Sequence, residues 1–289
     1  MTSWEERKQE HAEPRRESPT EYILATGEAA ASRLEMLEEI FGPHSRQLLV
    51  KAGLSKGLRV ADIGCGTGLV SLWIGTQVGA EGRVVGVDIS CEQLKVAQAN
   101  AAAAGLTNVS FQEGSAYETN LPCGQFDMIY SRFLMCHIRE PAKALREMRA
   151  LLNPDGILVC EDHDDGGIFS EPPTRAYQRL VEISDAVNRA RGLDSYIGLK
   201  LPRLVGEAGF TRPQVMVKQI AELRGPNKHF WEITLREATQ AILAAGIATQ
   251  EELDTICAGL RTVAEDDTTL VMLARVTQVW ARLASMPNS

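Results

Sequence analysis

The sequence predicts an α/β protein built on a doubly wound, mainly parallel sheet of seven strands, and three observations carry that expectation. Short apolar runs alternate with helical patterns over most of the chain, as parallel strands joined by crossover helices require. The run Val60-Ala61-Asp62-Ile63 breaks directly into Gly64-Cys65-Gly66-Thr67-Gly68 and then into a helical segment from Leu69. A second run ends in Asp88, roughly twenty residues beyond the last of those glycines.

Strands are expected near Arg59–Ile63, Arg83–Val87, Val109–Gln112, Phe126–Tyr130, Gly156–Glu161, Gln214–Ile220 and Thr269–Val279. Helices fill the intervals. Glu92–Ala104 stops at Gly105, and Pro141–Leu152 opens with proline in its first turn and closes before Asn153-Pro154-Asp155-Gly156. Three regions lie outside this alternation: Thr20–Leu54, about Gly166–Lys200 and about Asn227–Glu265. Apolar spacing of three and four residues, as in Leu34, Leu37, Phe41 and in Leu253, Ile256, Leu260, makes them amphipathic helices. The expected division is a polar tail over 1–19, an N-terminal helical cover over 20–54, and a main domain over 55–289 whose two helical insertions form a lid.

Composition narrows the function. A net charge of −8 over 289 residues leaves no basic footprint for nucleic acid and suits a small-molecule substrate. The six cysteines form no C-x-x-C pair, no signal-peptide pattern opens the chain, and no apolar run reaches the length of a membrane span, so a reduced, cytoplasmic protein is expected. Monomer and homodimer both stay open.

Glycine at every second position lets a turn take left-handed dihedrals and lets its backbone lie against a ligand, while the following helix directs its first N–H groups at the same place. The spacing separates two cofactor classes. A dinucleotide fingerprint needs glycine at 64, 66 and 69, and position 69 is Leu69, which disfavours NAD and FAD. Asp88 is placed to accept hydrogen bonds from ribose hydroxyls.

The pattern Asp62-x-Gly64-x-Gly66-x-Gly68 resembles the first motif of class I S-adenosylmethionine-dependent methyltransferases. Later segments follow in that family's order: Gln125–Tyr130 is similar to its fourth strand, Ala144–Gly156 to the helix and turn before its fifth, and Glu207-Ala208-Gly209-Phe210 to the turn before its sixth. Within the family, the branch of quinone-biosynthesis and natural-product enzymes is the nearest. The resemblance covers about Leu54 to Ile220 and implies a Rossmann-like sheet with an antiparallel last strand. It further implies S-adenosylmethionine as cofactor, held by Tyr22, Asp62, Gly64, Cys65, Gly66, Gly68, Asp88, Ile89, Gly114, Ser115, Ala116, Ser131 and Arg132. One departure stands out, because Ser115 occupies the place of the family's usual adenine-binding acid; its hydroxyl, Glu113 or a backbone carbonyl can take that contact.

In doubly wound sheets ligands bind beyond the carboxyl ends of the strands. His137 after the fourth strand and His163 after the fifth are the candidate bases, since imidazole titrates near neutrality. Alignment of donor and acceptor without a base is the alternative. Phe133, Tyr177, Tyr196, His229 and Trp231 are the candidate substrate contacts. The run Glu161–Asp165 reads as mostly solvated, and no metal is expected, because Ser131 stands where magnesium-dependent relatives carry an acid. The expected function is methyl transfer to a small molecule at oxygen, nitrogen or carbon; the alternative is a protein of the same fold that binds the cofactor but catalyses another reaction or serves as a partner subunit.

Overall fold

The computed structural model describes residues 31–283, so Tyr22 and the 1–19 tail lie outside the described residues. The chain runs through α1 (Ala31–Ala52), β1 (Arg59–Ile63), α2 (Leu69–Val78), β2 (Arg83–Asp88), α3 (Cys91–Ala103), β3 (Val109–Glu113), β4 (Phe126–Arg132) and α4 (Pro141–Leu151). It continues through β5 (Leu152–Asp164), β6 (Phe169–Glu171), α5 (Arg175–Arg191), α6 (Ile197–Glu207), β7 (Phe210–Lys218), β8 (Ala221–Glu222), α7 (Phe230–Ala244), α8 (Gln250–Glu265), β9 (Leu270–Met272) and β10 (Arg275–Leu283).

Seven strands form the main sheet in the order β3-β2-β1-β4-β5-β10-β7. The first five are parallel, and β10 runs antiparallel to both β5 and β7. Strand periodicity of two sorts the core. Ala61, Ile63, Ile129 and Leu158 face α4 and α6 through Leu145, Met148 and Leu201, while Val60, Met128 and Val159 face α1 and α2 through Leu48, Leu49 and Ile74. Both faces are therefore covered, which is why apolar residues occupy both faces along the middle of β1, β4 and β5.

Three expectations from sequence are corrected. The run Thr269–Val279 is two strands: β9 joins β6 and β8 in a separate three-stranded sheet, and β10 enters the main one. β7 begins earlier than expected, at Phe210. β5 extends through the acidic run to Asp164, paired along its length with β10, so Glu161, Asp162 and Asp164 are strand residues and all are buried. The buried acids are tolerated because each has partners. Tyr130 and Gln278 bond Glu161, the backbone N–H groups of Met135 and Cys136 bond Asp162, and Arg275 bonds Asp164.

A further core joins α1, α5, α7 and α8 to β9 and β10 through Phe41, Leu180, Ile183, Phe230, Leu235, Ile256 and Val276. Among the described residues no helix is long and apolar enough to cross a membrane.

Candidate active site

The glycine turn is fixed before any ligand arrives. Gly64, Gly66 and Gly68 take φ of +79°, +54° and +77°, values that favour glycine. The N–H groups of Gly64 and Cys65 both donate to the Val87 carbonyl, at 2.8 and 3.1 Å, and tie the turn to β2. Gly66 N–H donates to Asp88 Oδ2 at 2.8 Å, and Ser90 N–H donates to Asp88 Oδ1 at 2.9 Å. Ser90, not Asp88, caps α3, its Oγ accepting from Gln93 N–H. Each oxygen of Asp88 keeps a further lone pair for a ligand hydroxyl.

This loop opens on a cavity of about 670 Å³. Asp62, Gly64, Cys65, Gly66, Asp88, Ile89 and Arg132 line it, together with Phe133 and His137. Gly68, Gly114, Ser115, Ala116 and Ser131 lie off its wall. Ser115 Oγ accepts from Tyr117 N–H in its own turn, whereas Glu113 lines the cavity. Burial raises the Asp62 carboxyl to about 6 even though Ser71 Oγ donates to it, and burial likewise raises Asp88. Two desolvated carboxyls beside backbone N–H groups, with nothing within 4 Å of where a Gly66 Cβ would stand, suit a ligand that brings hydroxyls and positive charge. The residues thus fit S-adenosylmethionine.

A second chamber of about 160 Å³ adjoins the first and shares Arg33, Leu37, Phe133 and His137 with it. α1, α5, α7 and the end of β5 line it, through Phe41, Ile183, Val187, Phe230, Trp231, Leu235 and His163. Phe133 forms the partition. Its ring meets Phe41 and His163 edge to face, with centroids 5.2 and 5.7 Å away. Its φ of +52° is left-handed, a strained state for a residue with a Cβ that costs about 1–3 kcal/mol. Phe133 N–H, donating to the Glu161 carbonyl at 3.0 Å, holds it there.

The two histidines differ in charge. His163 Nδ1 stands 3.5 Å from Asp162 Oδ1, and its Nε2 stands 3.4 Å from Asp165 Oδ1. Burial opposes its protonation, but the Cys136 sulfur and the two carboxylates outweigh burial and raise its pKa well above the ordinary histidine range. His137 goes the other way. Burial lowers it to about 4, with only partial relief from Asp162, so it is neutral near pH 7.

Trp231 lines the chamber, and Tyr177, Tyr196 and His229 do not. Tyr177 is packed in the cover core, Tyr196 lies against another surface cavity, and His229 pairs with Glu232. Sequence reasoning missed Arg33, Leu37, Phe41 and Asp165, and for the first three no signal beyond a helical apolar stripe marks them. Cys136, Asp162 and His163 bring one possible ligand atom each within 4.8 Å of one another. Asp162 already accepts three backbone N–H bonds there, from Met135, Cys136 and His163.

Comparison with known proteins bears on the family and the fold. A family model described as a methyltransferase domain matches residues 54–196. An uncharacterized 37.1 kDa protein in a transposon of Streptomyces fradiae is 31% identical over 211 residues, 70% of this chain and 59% of that protein. A demethylmenaquinone methyltransferase of Listeria monocytogenes is 36% identical over 109 residues, 38% of this chain and 46% of the relative. The chain therefore spans about half the length of these curated relatives. In fold, the YcgJ protein of Bacillus subtilis superposes with a TM-score of 0.58 at 21% identity, over 83% of this chain and 98% of that one.

Proposed function

From its place among the class I S-adenosylmethionine-dependent methyltransferases, the family that its fold and residues 54–196 assign it, we propose that this chain methylates a small molecule held in the 160 Å³ chamber. One observation carries the reading: the cofactor cavity and the apolar chamber adjoin along Arg33, Leu37, Phe133 and His137, so a donor in one and an acceptor in the other would meet along that boundary. Asp88, Gly66 and Ile89 would hold the nucleoside part, and Asp62 with the Gly64–Gly66 backbone the amino-acid part. When bound, the cofactor supplies a sulfonium-activated methyl group whose bond to sulfur breaks as the bond to the acceptor forms. The acceptor's proton then needs a destination.

His137 is the residue placed to take it. It lines both cavities and is neutral near pH 7, whereas His163, flanked by two carboxylates, already carries its proton. His163 then serves as a fixed cation at the chamber end of β5, offsetting Asp162 and Asp165. The helices α1, α5 and α7 exclude water from the chamber as a cover.

Asp88→Ala should weaken S-adenosylmethionine binding about ten- to a hundredfold, because hydrogen bonds to a charged group are worth about 1.5–3 kcal/mol. Calorimetry on the folded variant checks this, and unchanged affinity would remove Asp88 from the cofactor site. Turnover should also survive EDTA, since Ser131 offers no carboxylate at the end of β4 and Asp162 is committed to backbone N–H groups. Loss of activity in EDTA that magnesium or zinc restores would contradict it.

A further inference from the structure

Most N–H groups of the glycine turn are spent inside the protein. Those of Gly64 and Cys65 go to the Val87 carbonyl, that of Gly66 to Asp88 and that of Gly68 to the Cys65 carbonyl. The turn is left with carbonyls to offer, and together with Asp62 these suit an ammonium group. A carboxylate bound beside them calls for a cation. Arg33 and Arg132 line the cavity, and Arg33 Nε is bonded to Glu237 of α7 at 2.7 Å.

Arg132 is held by α1. Its Nη2 donates to Glu38 Oε2 at 2.7 Å and its Nη1 to Ser45 Oγ at 3.2 Å, while Nε takes part in neither bond. The Arg132 and Glu38 side chains are 11% and 12% exposed, so a largely desolvated ion pair stands at the cavity wall. The other oxygen of Glu38, Oε1, accepts from Arg46 Nη2 at 2.7 Å, and Arg46 reaches solvent. Glu38 therefore has a second cation to fall back on.

α1 itself is built in two halves. Met36, Leu37, Ile40 and Phe41 pack into the core of α5, α7 and α8, whereas Leu48, Leu49 and Ala52 pack into the core of the main sheet. Gly42 and Pro43 stand between them, and proline, with no N–H to give, breaks the run of helical hydrogen bonds there. Gly42 also makes room for the pair, since a Cβ at that position would run into the Glu38 carboxyl group.

Building on the methyltransferase reading, we infer that Glu38 stands in for the carboxylate of S-adenosylmethionine. The cofactor's carboxylate takes Arg132, Glu38 withdraws to Arg46, and the first half of α1 is released at Gly42-Pro43. That half carries Leu37 and Phe41 of the chamber wall, so arrival of the cofactor loosens the chamber for the acceptor. Binding is then ordered, cofactor first.

The test uses the full chain and two ligands that differ in one group, S-adenosylhomocysteine and its decarboxylated analogue. Glu38→Gln should tighten S-adenosylhomocysteine about three- to tenfold and leave the analogue within about twofold, while Arg132→Gln should weaken S-adenosylhomocysteine about tenfold and again spare the analogue. Gly42→Ala changes no charge, displaces the Glu38 carboxyl and should act in the same direction as Glu38→Gln, which keeps the test open should that variant fail to fold. In the wild type, amide exchange over residues 33–42 should be faster with S-adenosylhomocysteine than with the analogue at equal saturation. Glu38→Gln and Gly42→Ala weakening both ligands alike would make the ion pair a plain support of the cover and overturn the inference. Equal exchange with both ligands would overturn it too, as would an Arg132→Gln variant that keeps its preference for S-adenosylhomocysteine, which would give the carboxylate to the first N–H groups of α2. Failure of both ligands to bind the wild type would remove the methyltransferase reading, and this inference with it.

Discussion

Replacing His137 with alanine is expected to lower turnover by about 10²–10⁴ while cofactor affinity stays within a few fold, the signature of a lost proton acceptor. The argument is one of position and charge state. His137 faces both cavities, and burial holds its pKa down to about 4, so it is unprotonated wherever the protein works. A base must be unprotonated, so its activity is lost only as pH falls through that value. The wild-type rate should therefore be nearly flat between about pH 5.5 and 8. His163 has the opposite sign: its pKa is raised by its carboxylate neighbours, so it holds a proton more readily than His137, and His163→Ala should act on acceptor binding more than on turnover. An acid limb near neutrality that vanishes in His163→Ala would move the base to His163. Near-wild-type turnover in His137→Ala would leave alignment of donor and acceptor as the whole mechanism.

The glycine turn and Asp88 that line the larger cavity were legible in the sequence because their signals are local. The alternation of Gly64, Gly66 and Gly68 dictates a left-handed turn, and Asp88 follows its own strand. The acceptor half was not. Leu37, Phe41 and Ile183 look like any helix stripe, and only tertiary packing decides which stripe faces a chamber and which, like that of Tyr177, fills a core. The acidic run misled for a related reason. Glu161 and Asp164 look solvated until Gln278 and Arg275, more than a hundred residues away in sequence, arrive beside them. The break between β9 and β10 is equally silent, because apolar character runs through Leu270–Ala274 while Leu273 N–H turns to the Ile220 carbonyl.

Arg275→Ala should destabilise the fold by about 3–5 kcal/mol, read by denaturant unfolding, because it strands a buried carboxylate. Asp164 has no solvent exposure, and Arg275 grips it with two bonds, Nε to Oδ2 at 2.9 Å and Nη2 to Oδ1 at 2.8 Å. The Arg275 side chain keeps 35% exposure, so water softens the loss toward the lower figure. The pair closes the end of the β5–β10 ladder, where Asp164 faces Arg275 and His163 faces Val276. Opening it should also loosen His163 and the chamber wall beyond, so the acceptor's KM should rise in whatever fraction stays folded. Removing both charges tests the cause: Asp164→Asn with Arg275→Met leaves no carboxylate stranded and should recover most of the stability. A single Arg275→Ala within about 1 kcal/mol of wild type would mean that water already reaches Asp164, and an unrecovered double variant would mean that the ladder end depends on the bidentate geometry itself rather than on charge balance.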